Sequence, residues 1–239
     1  MNESIGIEIR NFSLIRGQKE LYRNFSINFE KNKTTAILAP SGTGKTSLLD
    51  AISGLLPYQS GTIECAKTKN KVSISYLFQE PRLLPWATVL QNCLLPIETL
   101  FSKAEAIKRT EYYLSLYNIL ERKNAFPNEL SGGEKQRCAL ARTFAFPSSI
   151  LLMDEAFQSQ DIALKKQLFS LFKSILQKEP RTVILVTHDI DEALFLADRI
   201  IVLQHEKKES VLKKIMDKKV DEINTKEILQ EITGLLSSI

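Results

Sequence analysis

The chain has 239 residues, 44% of them hydrophobic and 25% charged, with a formal net charge of +4. That length can bury a sizeable core, as one large domain or two tightly joined lobes, and the composition is ordinary for a soluble protein. The positive charge is spread along the sequence, which argues against a polybasic arm for nucleic acid or lipid.

Cys65, Cys93 and Cys138 are far apart and odd in number. They have neither metal-ligand spacing nor the look of a disulfide framework, so a reducing cytosol is expected. No apolar run approaches the length of a membrane span. The start, Met1-Asn2-Glu3-Ser4-Ile5-Gly6, lacks the basic region and hydrophobic core of a signal peptide, so none is expected. If this chain serves transport, another chain must supply the passage through the membrane.

The first clear element is an alternation at Phe25, Ile27 and Phe29, which predicts a half-exposed antiparallel strand. The apolar run Thr35-Ala36-Ile37-Leu38 then leads into Ala39-Pro40-Ser41-Gly42-Thr43-Gly44-Lys45-Thr46, and a helix-like stretch begins at Ser47. This strand, loop and helix is the context a phosphate loop requires. Gly42 and Gly44 let backbone N–H groups curl around phosphates, Lys45 supplies charge to the β- and γ-phosphates, and the Thr46 hydroxyl can ligate Mg²⁺. The strict pattern begins with Gly. Ala39 stands there instead, and the loop is expected to form unless that position needs a positive φ.

A second strand, Val72 to Phe78, ends at Gln79, a residue type that usually only marks a turn. The run Leu83-Leu84-Pro85-Trp86 follows, and strand signals then fade over roughly 86–146, where helices dominate. Ser102 and Glu105 form a capping box opening a helix that carries Ile107, Leu114 and Tyr117. The cluster Tyr112, Tyr113 and Tyr117 reads as packing, not as a base-stacking platform.

Leu130-Ser131-Gly132-Gly133-Glu134-Lys135-Gln136-Arg137 is the most informative segment. Ser131 and Glu134 have capping-box spacing. A Ser-Gly-Gly at a helix start offers several backbone N–H groups and the positive end of the helix dipole to a phosphate. Ile150-Leu151-Leu152-Met153-Asp154-Glu155 reads as a buried parallel strand ending in two acids. Asp154 can hold Mg²⁺ and Glu155 can polarise an attacking water. One acid there would commonly be a solvated turn; two, beside a phosphate loop, favour chemistry. Thr182 to Thr187 is another β-branched strand, ending at His188, one of two histidines. Its place at the same sheet edge suits contact with a γ-phosphate better than mere packing. Beyond about residue 204 the pattern weakens. Six lysines and five acids between His205 and Glu222 suggest a solvated mixed face, followed by a short amphipathic helix from Lys226 to Leu236.

These pieces, in this order, resemble the nucleotide-binding subunit of ATP-binding-cassette (ABC) transporters over roughly residues 5 to 203. Residues 39–46 resemble the Walker A loop, Gln79 the Q-loop glutamine, 130–137 the family signature, 150–155 Walker B and His188 the switch histidine. Asp161 falls where the D-loop aspartate belongs. The resemblance implies an α/β fold: a P-loop NTPase core with a parallel sheet, an N-terminal antiparallel β region and an α-helical subdomain. The ATPase domain would cover 1–204, with the helical subdomain at about 86–146, and 205–239 would be a charged extension. ATP and Mg²⁺ would be the cofactors, Mg²⁺ being held by Thr46, Gln79 and Asp154. Lys45, Glu155 and His188 would be catalytic, and Ser131, Gly132 and Gly133 would contact ATP bound to a second copy.

The segment from Phe78 to Trp86 looks like importers for nitrate, taurine, aliphatic sulfonates and pyrimidine precursors of thiamine. The implied partners are a second ATPase subunit, integral-membrane permease subunits and a substrate-binding protein, with no nucleic acid. The chain would lie on the inner face of the cell membrane. Three departures stand out. Ile15 and Arg16 occupy the place of the family's adenine-stacking aromatic, so stacking is weakened or replaced by Arg16 over the ring. The D-loop reads Ser159-Gln160-Asp161, and Ala156 stands where importers usually have proline. A soluble ABC-type ATPase in cofactor assembly is the alternative, and an unrelated P-loop kinase or GTPase a more remote one.

Overall fold

The structure, a computed structural model, describes residues 5–65, 72–157, 161–206, 209–217 and 233–234. A hairpin comes first: β1 (Ile5–Arg16) and β2 (Lys19–Glu30) pair antiparallel around a two-residue turn in which Gly17 takes φ 63°. β3 (Thr34–Leu38) leads to α1 (Lys45–Ser53), and β4 (Ser60–Cys65) returns beside β1. The rest of the chain runs β5 (Ile74–Leu77), α2 (Val89–Leu94), α3 (Lys103–Leu116), α4 (Gly132–Ala145), β6 (Ile150–Asp154), α5 (Ile162–Lys178), β7 (Thr182–Thr187), α6 (Ile190–Leu196), β8 (Arg199–Glu206) and β9 (Glu209–Asp217).

Two sheets result. The smaller is antiparallel, in the order β2-β1-β4, and the larger runs β5-β6-β7-β3-β8-β9 with only β9 antiparallel. Every residue of β3, β6 and β7 is buried, which is why these strands read as unbroken apolar or β-branched runs. β2 instead alternates at Phe25, Ile27 and Phe29, as a strand with one wet face must. The hairpin closes over the larger sheet through Phe12, Tyr22, Phe29, Ile37 and Leu49. The helical lobe, α2 to α4, packs Tyr113, Tyr117 and Phe144 into one core shared with Phe172 of α5 and with Leu151, Met153 and Leu185 of the sheet. Tyr112 remains exposed.

The structure departs from the sequence reading at the C-terminal side. A domain edge at 204 falls inside β8, and the first part of the charged stretch is β9, paired with β8 from Arg199↔Asp217 to Glu206↔Glu209. β9 lies at the end of the sheet, where charged residues are an ordinary guard against further pairing, so its composition masked a strand. The helix expected from Lys226 to Leu236 lies outside the described residues apart from 233–234.

A polar cluster bolts the helical lobe to the sheet. Arg181 is 2% exposed and donates to the carbonyl of Phe144 (2.9 Å) and to Glu179 (3.1 Å). Glu179 also accepts from Arg109 (2.9 Å) and from the Tyr113 hydroxyl (2.7 Å). Arg109 in turn donates to the Ala145 carbonyl at 2.6 Å, so the middle of α3 and the C-terminal end of α4 are tied to the residues just before β7.

Candidate functional site

The order β5-β6-β7-β3 places four strand ends side by side. Gln79 follows β5, Asp154 and Glu155 end β6, His188 follows β7, and the glycine loop follows β3. Residues more than a hundred positions apart thereby meet at the carboxyl edge of one parallel sheet, where open α/β folds bind ligands.

The loop reaches α1 through Gly44, which takes φ 89° as the helix N-cap. A Cβ there would meet Tyr22 and Leu21 at 3.1–3.3 Å, so conformation and space both require glycine. Ala39 is buried and is not among the residues with positive φ, so the departure from Gly leaves the loop unstrained. Lys45 folds back across the loop, its ammonium donating to the carbonyls of Ala39 (2.7 Å) and Pro40 (2.9 Å). Burial lowers its pKa, against the raising influence of Glu155 and Asp154. The Thr46 hydroxyl donates to Asp154 at 2.6 Å. Burial raises the Asp154 pKa, and the Thr46 bond opposes that. A hydroxyl beside a buried carboxylate, with the Gln79 amide nearby, is an all-oxygen donor set. It suits Mg²⁺, whose charge would compensate the desolvated acid.

Glu155 is the hub. One carboxylate oxygen accepts from Gln79 Nε2 at 3.1 Å, and the other lies 3.4 Å from His188 Nδ1. Its backbone sits at φ 48°, unusual for a non-glycine residue, while its N–H donates to the Val186 carbonyl at 2.9 Å. A left-handed residue held at a sheet edge marks a constraint beyond folding.

An open cleft of about 520 Å³ is lined by Ser41, Gly42, Lys45 and Thr46, by Gln79 and Glu155, and by Arg16, Lys19 and Leu21 of the hairpin. Arg16 lies beside the start of α1, donating to Ser47 Oγ at 3.3 Å. Lys19 escaped the sequence reading. Its ammonium donates to the Gly42 carbonyl at 3.0 Å, and its place just after the Gly17 turn was the available signal.

Ser131 caps α4, accepting from the Glu134 N–H at 3.2 Å while Glu134 accepts from the Ser131 N–H at 2.8 Å. Ser131 and Gly132 are exposed, and none of Ser131, Gly132 or Gly133 lines the cleft. The glycine loop after β3 and the Ser131-Gly132-Gly133 start of α4 thus do not line one cleft within the chain. Asp161 caps α5, accepting from Leu164 N–H at 2.9 Å, and it also stands outside the cleft lining. The neighbouring Ser159 and Gln160 lie outside the described residues. Ala156 is fully buried, and its carbonyl accepts from Gln136 of α4 at 2.7 Å.

Behind His188, Asp189 caps α6 and pairs with Lys165 of α5 at 2.5 Å. Lys165 also lies 3.5 Å from Glu192, which is 1% exposed. Burial pushes the Glu192 pKa up to about 7, despite the downward pull of Lys165. The folded protein thus holds this proton more tightly than the unfolded chain. The associated stability is present at low pH and is lost as pH rises from the ordinary 4.5 through about 7. Glu192→Gln should therefore match wild type near pH 4.5 and become the more stable by roughly 2–3 kcal/mol at pH 8. Thermal midpoints measured across that range check this; a gap that does not change with pH contradicts it.

The profile of the ABC transporter family matches residues 22–158. The chain is 36% identical over 203 residues to the aliphatic sulfonates import ATP-binding protein SsuB 1 of Paracoccus denitrificans (strain Pd 1222), an overlap of 84% of this chain and 80% of that protein. It is 37% identical over 205 residues to SsuB of Zymomonas mobilis, covering 84% and 83%. A solved dimer of the ATP-binding cassette MJ0796, in a post-hydrolysis state bound to ADP and Pi, has a TM-score of 0.79 at 26% identity over 90% of this chain and 100% of that one.

Proposed function

The chain belongs to the ABC transporter family, and from that premise we propose that it is the ATP-hydrolysing subunit of an importer, working as a head-to-tail dimer at the inner face of the cell membrane. The observation that carries the dimer is the separation of the cleft from Ser131, Gly132 and Gly133. A second copy brings those N–H groups to the γ-phosphate from the open side. The ADP- and Pi-bound cassette MJ0796, which is dimeric, supports this arrangement.

The chemistry needs positioning and charge more than covalent participation. Backbone N–H groups from Ser41 to Thr46 cradle the phosphates. Lys45 exchanges the carbonyls of Ala39 and Pro40 for phosphate oxygens, whose negative charge offsets the cost of burying its ammonium. Thr46, Asp154 and Gln79 would hold Mg²⁺, which when bound neutralises phosphate charge. Glu155 orients the attacking water and takes its proton, while His188 donates toward the γ-phosphate. Arg16 would lie over the base, and Lys19 braces the phosphate loop at the Gly42 carbonyl. Asp161, at the start of α5, would lie near the partner. Loss of the γ-phosphate charge then weakens the contact between copies.

No helix among the described residues is long and apolar enough to cross a membrane, so import requires separate permease subunits, and a substrate-binding protein would complete the system. The two SsuB relatives are ATP-binding proteins for aliphatic sulfonate import, which favours that class of cargo. Trp86 is the proposed contact with the permease: it is 73% exposed, whereas Leu83 packs against the helical core. Asn92 holds the turn beneath it, donating to the carbonyls of Leu84, Ala87 and Thr88. An exposed indole on a fixed turn suits an interface. Trp86→Ala is expected to leave the thermal midpoint within a few degrees of wild type and to abolish co-purification of an integral-membrane protein from detergent-solubilised membranes. Recovery of only soluble partners by the wild-type chain would favour the cofactor-assembly reading.

A further inference from the structure

Arg142 has no role in the site as described, yet its surroundings are costly. It lies on α4, ten residues after Gly132, and burial lowers its pKa. Among the described residues no carboxylate lies within ion-pair distance of it. Its guanidinium instead donates to two consecutive backbone carbonyls, Pro81 at 2.7 Å and Arg82 at 2.9 Å. Desolvating a cation against neutral carbonyls is a poor route to stability, whereas the planar two-pronged donor suits holding a backbone in place.

The segment it grips is unusual. Arg82 is a non-glycine residue at φ 44°, and its own guanidinium lies 3.9 Å from the centre of the Phe78 ring. Phe78 stacks on Tyr76 at 4.0 Å, and the Tyr76 hydroxyl donates to Asp50 of α1 at 3.1 Å. Gln79 lies between these two anchorages. Its side chain is exposed, so the backbone on either side determines where its amide goes, and that amide reaches Glu155 at 3.1 Å.

We propose that Arg142 is a positioning residue for ATP hydrolysis, pinning the Pro81–Arg82 backbone so that the Gln79 amide stays on the Glu155 carboxylate. The inference rests on the catalytic reading of Glu155. A helix advances 1.5 Å per residue, so Arg142 sits roughly 15 Å along α4 from the glycines that meet the partner's phosphate. A rigid α4 carries any displacement of its N-terminus to the Gln79 segment. Engagement of a second copy is thereby coupled to the placement of Glu155.

The test measures MgATP hydrolysis by Arg142→Lys, Arg142→Ala, Gln79→Ala, Glu155→Gln and the Arg142/Gln79 double variants. Arg142→Ala should lower kcat by roughly ten- to a hundredfold, with KM for ATP changed less than about threefold, as for a misplaced catalytic group. Arg142→Lys, a single point charge that cannot hold both carbonyls, should fall between Ala and wild type and guards against a misfolded Ala variant. In the Gln79→Ala background either change should cost less than about twofold more, because residues acting in series are non-additive. Trp86, the only tryptophan, lies four residues beyond Arg82; its emission is expected to change on adding ATP to wild type and to change less in Arg142→Lys. Wild-type kcat in both Arg142 variants, or losses that multiply in the doubles, overturns the proposal while a slow Glu155→Gln leaves the catalytic reading standing. A fast Glu155→Gln overturns both.

Discussion

Replacing Glu155 with Gln is expected to slow ATP turnover by roughly two to four orders of magnitude while leaving nucleotide binding intact. The amide keeps the size and polarity of the carboxylate but cannot accept a proton from water. The phosphate-binding groups, Lys45, Thr46 and the loop N–H donors, are untouched. The position itself argues for a working group: φ 48°, at the end of a fully buried strand, with Gln79 and His188 on its two oxygens. Single-turnover hydrolysis with excess protein isolates the chemical step. A rate near wild type removes Glu155 from the mechanism.

The second large effect is structural. Glu179→Ala removes the carboxylate shared by Arg181, Arg109 and Tyr113 and leaves the nearly inaccessible Arg181 facing only carbonyls and a hydroxyl. Breaking a buried pair from one side typically costs about 3–5 kcal/mol. Glu179 keeps 36% of its side-chain surface in water, so about 2–4 kcal/mol is expected here, a thermal midpoint lower by roughly 5–15 °C. Glu179→Gln, which keeps one accepting oxygen but turns a donor toward the guanidinium groups on the other side, should lose less than Glu179→Ala. Equal midpoints for Glu179→Ala and wild type would mean that the lobe is held by its apolar core alone.

Most of the fold and site was legible because the chemistry is local. The phosphate loop, the capping box at Ser131 and the two acids at the end of β6 each declare themselves within about eight residues, through glycine freedom, cap geometry and buried-strand composition. Ser102 opening α3 was readable for the same reason. What escaped depends on contacts between distant segments. Lys19 acquires meaning only when the hairpin lies over Gly42, and Arg142 only when α4 meets Pro81 and Arg82. Glu179 and Arg181 look like a charged helix end until Arg109 arrives from seventy residues away. β9 was hidden for a different reason, since an edge strand can carry charge at most positions and shows no clear period. The left-handed backbone of Glu155 has no sequence signal at all.

The central claim is that ATP is held between two copies, one giving the loop and the other Ser131 to Gly133. Sedimentation of Glu155→Gln protein with and without MgATP tests it most directly, with Glu155→Gln/Ser131→Arg alongside. The account predicts monomers without nucleotide, dimers of Glu155→Gln with ATP, and monomers of the double variant with ATP, because an arginine at position 131 puts bulk against the partner's nucleotide. Dimers of the double variant with ATP, at the same nucleotide concentration, would contradict it.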